Sequence, residues 1–93
     1  MRYRLEFHPR ARKEFLALPK VVREHVSARM DGLTQDPRPP GSQDLTGDLR
    51  GLRKLRVGDY RAAYEINEAA GSVRLWGFGH RSGFYERIRR RRA

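Results

Sequence analysis

The sequence contains no cysteine, so a disulfide framework and a thiolate metal site are both excluded. It also lacks any apolar run near the roughly 20 residues that a membrane-spanning helix needs. The N-terminus Met-Arg-Tyr-Arg-Leu-Glu has no apolar signal-peptide core. Three scattered histidines do not make a metal site without further ligands. We therefore expect a soluble, cytoplasmic protein with no metal or other cofactor.

Acidic residues are scarce: 11 stand against 21 basic residues, which gives a net charge of +10. Such an excess favours a polyanionic partner, with nucleic acid first and an acidic protein second. Only three of the basic residues are Lys. The preference for Arg suits bidentate phosphate contacts, although a GC-rich genome would produce the same bias. A chain of 93 residues predicts one domain, 1–93, with a basic tail at 89–92.

Residues 51–65 predict a β-hairpin at the centre of the fold, with Gly58-Asp59 as its two-residue turn. Val57 then pairs with Tyr60, and Arg56 faces Arg61. The period of two places mostly apolar side chains on one face of the hairpin. These are Leu55, Val57, Tyr60, Ala62, Tyr64 and Ile66. The other face carries Lys54, Arg56 and Arg61 and is therefore predicted to be cationic.

The segments on either side of the hairpin predict an α+β fold. Alternating apolar residues in 2–8 indicate an N-terminal strand, and Pro9 and Pro19 each suit the start of an amphipathic helix. Residues 37–48 are rich in Pro and Gly and read as a surface loop. A third strand at 73–80 completes a three-stranded antiparallel meander. Phe84, Tyr85 and Ile88 then line a short C-terminal helix.

The predicted ladder gathers a candidate site on one concave sheet face. If Ile66 pairs with Val73, then Trp76, Phe78 and His80 join the cationic face, with Phe78 opposite Arg61. The full set is Lys54, Arg56, Arg61, Phe78, His80, Arg81 and Tyr85. Cations interleaved with aromatic rings hold single-stranded RNA, because guanidinium groups bind phosphates while bases stack on rings. The alternative is that the arginines are solvated and the aromatic side chains pack under the C-terminal segment.

Two motifs in this chain resemble a known family. They are Leu-Arg-Val-Gly-Asp-Tyr-Arg-Ala-Ala-Tyr-Glu-Ile at 55–66 and Gly-His-Arg-Ser-Gly-Phe-Tyr at 79–85. Together with the N-terminal Tyr-Arg-Leu-Glu-Phe-His-Pro-Arg-Ala, they resemble the RelE/ParE superfamily of toxins from type II toxin–antitoxin pairs. The resemblance covers nearly the whole chain, 3–88. It implies a small toxin that cuts messenger RNA in the ribosomal A site and is silenced by a co-translated antitoxin.

The resemblance also implies a mechanism and its residues. In a metal-free reaction, the 2′-hydroxyl attacks the adjacent phosphate and leaves a cyclic phosphate and a 5′-hydroxyl. Arg61 matches the phosphate-binding Arg, Arg81 the Arg that serves the leaving group, and Tyr85 the Tyr that contacts the reacting nucleotide. Lys54 matches a basic residue on the preceding strand. His80 is a candidate base, because histidine is the residue type whose unperturbed pKa lies near neutrality, or else a structural histidine.

Some features depart from the family pattern or leave alternatives open. Leu52 occupies a place where RelE-type toxins can carry a second Lys, so the base is not assigned by motif. The run Arg89, Arg90, Arg91 and Arg92 is expected to contact RNA non-specifically or to serve only as a solubilising end. ParE-type relatives bind DNA gyrase and cut nothing, and a degenerate member would bind only antitoxin and operator DNA. The expected partners are an acidic antitoxin, the ribosome and messenger RNA, with no membrane.

Overall fold

The structure is a computed structural model that describes residues 2–93. Five strands and three helices form the fold, together with a 3₁₀ turn at Gly47–Leu49. In chain order they are β1 (Arg4–Phe7), α1 (Pro9–Ala17), α2 (Lys20–Leu33), β2 (Ser42–Asp44), β3 (Arg53–Val57), β4 (Tyr60–Asn67), β5 (Ser72–His80) and α3 (Phe84–Arg92). Within these residues, none of the helices is long and apolar enough to cross a membrane.

The strands form one sheet in the order β1-β5-β4-β3-β2. The predicted antiparallel meander of β3, β4 and β5 is confirmed, and so is the hairpin register, with Val57 paired to Tyr60. Two further strands extend the sheet. β1 lies parallel to β5, and β2 pairs antiparallel with β3. The stretch 37–48 is therefore not all loop, because Ser42–Asp44 uses the free edge of β3.

The helical pair α1 and α2 covers one face of the sheet, here called the α1–α2 face. Pro9 opens α1, and the Nδ1 atom of His8 accepts a hydrogen bond from the backbone N–H of Arg10 at 3.1 Å. This caps the helix start, where N–H groups have no partner within the helix. The core on this face contains Ala11, Leu18, Val26, Met30, Leu33, Leu55, Ala62, Tyr64, Val73, Leu75 and Phe78.

A β-bulge in β5 overturns part of the predicted ladder. Tyr64 pairs with Leu75, but Ala63 pairs with Gly77, so Trp76 is an extra residue on β5. Every later side chain therefore changes face. Phe78 lies opposite Ala62 and is 1% exposed. The prediction that Phe78 faces Arg61 and binds RNA is wrong.

The opposite face of the sheet, here called the α3 face, is covered by α3. Phe84 and Ile88 are buried there against Leu49, Leu52 and Ala63. Gly77 permits the close approach, since a Cβ at this position would lie 2.5 Å from the Cδ1 atom of Ile88. The bulge pairs Gly77 with Ala63, which faces α3, so α3 is the helix that approaches this glycine.

Glu14 of α1 joins three elements where β1 ends and the edge of β5 becomes free. Its Oε1 atom accepts hydrogen bonds from the backbone N–H of Phe78 at 3.1 Å and from Arg91 Nη1 at 2.8 Å. Its Oε2 atom accepts from Arg91 Nη2 at 2.8 Å and from Arg87 Nε at 3.2 Å. Partial burial would raise the pKa of Glu14, but these donors and the two positive charges outweigh it and lower the pKa.

The four C-terminal arginines form the last turn of α3, so residues 89–92 are helical. The Arg91 side chain is only 4% exposed, and it also donates to the carbonyl of Trp76 at 2.8 Å. Arg91 is therefore a structural residue, and the expectation that it contacts RNA is wrong. Arg90 is exposed. Arg89 pairs with Asp48 and Glu86.

We expect Glu14→Gln to lower the free energy of unfolding by about 2–3 kcal/mol at pH 7. The substitution leaves the buried guanidinium of Arg91 without its counter-charge; the cost falls short of that for a fully buried pair because Glu14 keeps some contact with water. The folded-state pKa of Glu14 is depressed, so this stability is present above the unfolded-state value and is lost as pH falls through the folded-state value. Urea unfolding of both proteins from pH 7 to pH 3 should therefore show the gap closing below about pH 5. A gap independent of pH would contradict the ion-pair account.

Candidate functional site

The site is built on the two-residue turn between β3 and β4. Gly58 adopts φ +61°, a conformation that glycine takes without steric cost, and the turn folds β4 directly back on β3. Arg56 and Arg61 consequently stand opposite each other on the α3 face. The sequence prediction of this cross-strand pair is confirmed.

Both guanidinium groups converge on one backbone atom. The carbonyl of Gly58 accepts hydrogen bonds from Arg61 Nη1 at 3.0 Å and from Arg56 Nε at 3.3 Å. Arg61 Nη1 also donates to the carbonyl of Tyr60 at 3.1 Å. Like charges directly opposite each other destabilise a sheet. The pair places two positive charges at an exposed turn, an arrangement that an anion would stabilise.

Arg81 joins the same turn from the end of β5. Its backbone N–H donates to the carbonyl of Asp59 at 2.8 Å, and its Nε atom lies 3.9 Å from Asp59 Oδ1. Both side chains are about two-thirds exposed, at 64% and 67%, so this ion pair is weak and an incoming anion can compete with it. Three guanidinium groups and one carboxylate thus surround the turn.

Lys54 and Tyr85 lie farther along the α3 face. Lys54 is two residues from Arg56 on β3, and its Nζ atom stands 5.8 Å from the centre of the Tyr85 ring. Tyr85 packs edge-on against Phe84, with ring centres 5.2 Å apart. Its hydroxyl is buried and has no hydrogen-bond partner in the part of the chain that the structure describes. The ring is thus partly structural, while its hydroxyl is an unused polar group beside the cations.

His80 does not share the face of Arg61. The bulge places it beside Tyr60, with ring centres 5.5 Å apart and the rings nearly perpendicular. Its Nδ1 atom accepts a hydrogen bond from the backbone N–H of Ser82 at 3.2 Å. His80 is exposed at the end of β5. The prediction that it shares one concave face with the arginines is wrong.

Two arginines that were not predicted to belong to the site lie next to it. Arg29 of α2 donates to the carbonyl of Arg56 at 3.4 Å, on the β3 edge that β2 leaves uncovered. Arg87 of α3 lies over Gly79, where a Cβ would clash with its Nη2 atom. The Arg29 contact joins residues 27 positions apart, and the Arg87 contact depends on how α3 turns back onto β5, so neither follows from a local pattern. The glycine in β5 was the available signal for a close approach.

The comparisons with known proteins agree with this architecture. A family model described as the ParE toxin of type II toxin–antitoxin systems, parDE, matches residues 5–85. The chain belongs to the RelE/ParE superfamily. It is therefore a toxin of the type II toxin–antitoxin class. No sequence among the curated proteins matches it.

Solved structures include similar toxins. The RelE–RelB complex from Pyrococcus horikoshii is 29% identical, with 87% of this chain and 97% of that chain covered and a TM-score of 0.71. The RelBE2 complex from Mycobacterium tuberculosis is 25% identical, with 86% and 99% covered and a TM-score of 0.76. An arginine double mutant of Escherichia coli RelE in the free state is 24% identical, with 95% and 90% covered and a TM-score of 0.77. The last likeness concerns the fold alone.

We expect Arg56→Glu to stabilise the fold while removing a cation from the site. The change replaces the repulsion across the β3–β4 pair with attraction and should raise the free energy of unfolding by about 0.5 kcal/mol. The gain should shrink at high salt, because exposed charges are screened. Arg12→Glu makes the same charge change on exposed α1 and is the control. Equal effects from the two variants in urea unfolding would mean that overall charge, and not the arginine pair, sets the result.

Proposed function

We propose that this toxin is an endoribonuclease that cuts messenger RNA on the ribosome, in the cytoplasm, without a metal ion. The observation that carries the proposal is the convergence of Arg56, Arg61 and Arg81 on the Gly58-Asp59 turn. Converging guanidinium groups suit a phosphate whose oxygens gain negative charge during the reaction. The 25–29% identical solved relatives are RelE proteins, which also supports this reading.

In the proposed cleavage reaction, each residue of the site has its own role. The 2′-hydroxyl gives up its proton as its oxygen forms a bond to phosphorus, the bond from phosphorus to the 5′-oxygen breaks, and the leaving 5′-oxygen takes up a proton. Arg61 and Arg81 would hold the phosphate, and Arg56 would add charge beside it. Lys54 and Tyr85 would contact the adjacent nucleotide on the α3 face. Proton transfer by His80 stays a prediction. Its ring lies on the opposite face of the sheet from Arg61.

A second candidate function is inhibition of DNA gyrase without any cleavage. The family model that matches residues 5–85 is the ParE model. The resemblance to ParE-type toxins is what implies gyrase inhibition. Inducing the toxin alone separates the two functions. Loss of protein synthesis with cleaved transcripts supports the ribonuclease, whereas loss of supercoiling with intact transcripts supports gyrase inhibition.

The proposed inhibitor is an antitoxin with an acidic, amphipathic segment, and the proposed further partner of the toxin–antitoxin complex is operator DNA. The similar toxins from Pyrococcus horikoshii and Mycobacterium tuberculosis were solved as antitoxin complexes. A net charge of +10 favours an acidic partner, since complementary charge speeds association and fixes register. We expect the complex to dissociate faster at high salt. Dissociation rates measured from 0.1 to about 1 M salt test this, and a rate that does not change would contradict it.

We expect Arg61→Ala and Arg81→Ala each to slow cleavage by about a hundredfold or more. A guanidinium that stabilises transition-state charge contributes on the order of 3 kcal/mol. Arg61→Lys keeps the charge but loses the planar fork, so it should recover binding better than rate. Single-turnover cleavage of ribosome-bound messenger RNA is the measurement, with melting temperatures recorded for every variant.

Arg4→Ala is the matched control for these variants. Arg4 is 67% exposed and lies beside Ser72, at the end of β5 away from the turn. It should cleave at the wild-type rate. Normal cleavage by both Arg61→Ala and Arg81→Ala would remove these residues from the mechanism, and loss of the fold in either variant would make that residue structural.

A further inference from the structure

A second cationic pocket lies at the C-terminal end of α3. It has a volume of about 410 Å³ and is lined by Gly47, Asp48, Arg50, Arg89, Arg92 and Ala93. The lining comes from two separate segments, the 3₁₀ turn before β3 and the last turn of α3. Phe84, at the start of α3, lies beside Gly79, which pairs with Arg61. From Phe84 to Arg92 the helix axis rises about 12 Å, so this pocket is distinct from the site at the β3–β4 turn.

Asp48, the acidic side chain that lines this pocket, is already paired with Arg89. Arg89 donates through Nε to Asp48 Oδ1 at 3.1 Å and through Nη1 to Glu86 Oε1 at 2.5 Å. These contacts offset the charge of Arg89 and hold it in the pocket wall. Arg50 and Arg92 supply the remaining positive charge, and Arg50 is exposed.

Arg92 carries a polar atom that needs an acceptor. Its Nη1 atom is buried and has no hydrogen-bond partner within residues 2–93. Its Nη2 atom lies over Gly51, where a Cβ would be 3.1 Å away, and Gly51 has φ +99°. Gly51 thus has two roles. It adopts the positive φ of the turn, and it leaves room for the guanidinium of Arg92. A buried donor without an acceptor is costly, so the guanidinium of Arg92 gains a hydrogen bond if an anion in the pocket draws Nη1 out to it.

The cations of the pocket continue those of the candidate site. Arg50 comes three residues before β3, and β3 carries Lys54 and Arg56 on the α3 face. An extended chain covers at most about 20 Å between Arg50 and Arg56. Guanidinium groups bind phosphate through paired hydrogen bonds, and the pocket volume equals about a dozen waters, enough for a phosphate and its hydration.

We propose that the pocket of Arg50 and Arg92 binds a backbone phosphate of RNA, several nucleotides from the phosphate held by Arg61 and Arg81. The inference rests on the proposed function in taking RNA as the ligand. The toxin then binds one RNA strand at two phosphates, and Lys54 and Arg56 lie between the two phosphate sites. Because phosphates carry no sequence information, the second contact sets the length and orientation of the bound strand rather than its sequence.

The test measures binding of 2′-O-methyl RNA oligonucleotides of about 3 to 12 nucleotides, across a range of salt concentrations. These probes lack the attacking hydroxyl, so binding is read independently of cleavage. For the wild type, affinity should increase again once the strand is long enough to reach the pocket. In Arg50→Ala/Arg92→Ala this increase should vanish, and long strands should bind about tenfold more weakly. The slope of log affinity against log salt concentration should be smaller in magnitude by about 0.7, the value for one phosphate of a single strand.

Two further variants make the result decisive. Arg4→Ala/Arg12→Ala removes the same charge from exposed positions of β1 and α1, and it should keep the wild-type dependence on length. Arg50→Ala alone should lose part of the increase and leaves the packing of Arg92 on Gly51 intact. Equal losses in the two double variants would overturn the pocket in favour of diffuse charge.

The two proposals can also fail separately. If Arg50→Ala/Arg92→Ala binds RNA like the wild type but binds an acidic antitoxin peptide more weakly, the pocket is a protein site and the inference is wrong. If the length-dependent step is lost as expected while wild-type toxin leaves ribosome-bound messenger RNA intact, the pocket stands and the ribonuclease proposal fails.

Discussion

The fold depends on the contact between Glu14 and Arg91. The carboxylate is the only acidic group in α1, a helix that also carries Arg10, Arg12 and Lys13. It satisfies a free backbone N–H of β5 and pairs with an arginine that is almost fully buried. Each charge is destabilising in this position without the other, because removing one partner leaves a buried charge uncompensated. The pair therefore specifies how α1, β5 and α3 meet.

The bulge at Trp76 decides what the site contains. An unbroken ladder would have placed Phe78 and His80 beside Arg61, and the site would then have been a mixed aromatic and cationic surface. The extra residue sends both side chains to the α1–α2 face and leaves Gly77 and Gly79 on the α3 face. Small residues there admit α3 and Arg87. The aromatic contribution to the site comes from Tyr85 on α3 instead.

Local patterns were sufficient for much of the fold. The turn at Gly58-Asp59, the pairing of Arg56 with Arg61 and both helix starts follow from residue type and spacing. The bulge was not predictable in this way, because a one-residue shift of register at Ala63 hardly changes local strand propensity. What favours the shift is the packing of α3 on the sheet, which no local pattern reports. β2 was not predicted, because the residues around it are rich in Pro and Gly and favour a loop. Glu14–Arg91 joins residues 77 positions apart, and no periodicity reports such a pair.

The parallel pairing of β1 with β5 has a kinetic consequence. Arg4 lies beside Ser72, so the N-terminal strand has no partner in the sheet until most of the chain has been made. Contacts this distant in sequence close slowly, because the entropy of a long loop is lost before the pairing stabilises it. During synthesis the apolar faces of α1 and α2 therefore precede the strands that cover them. A nascent chain of this toxin should be a client for folding assistance and an early target for proteases, well before it can act on any substrate.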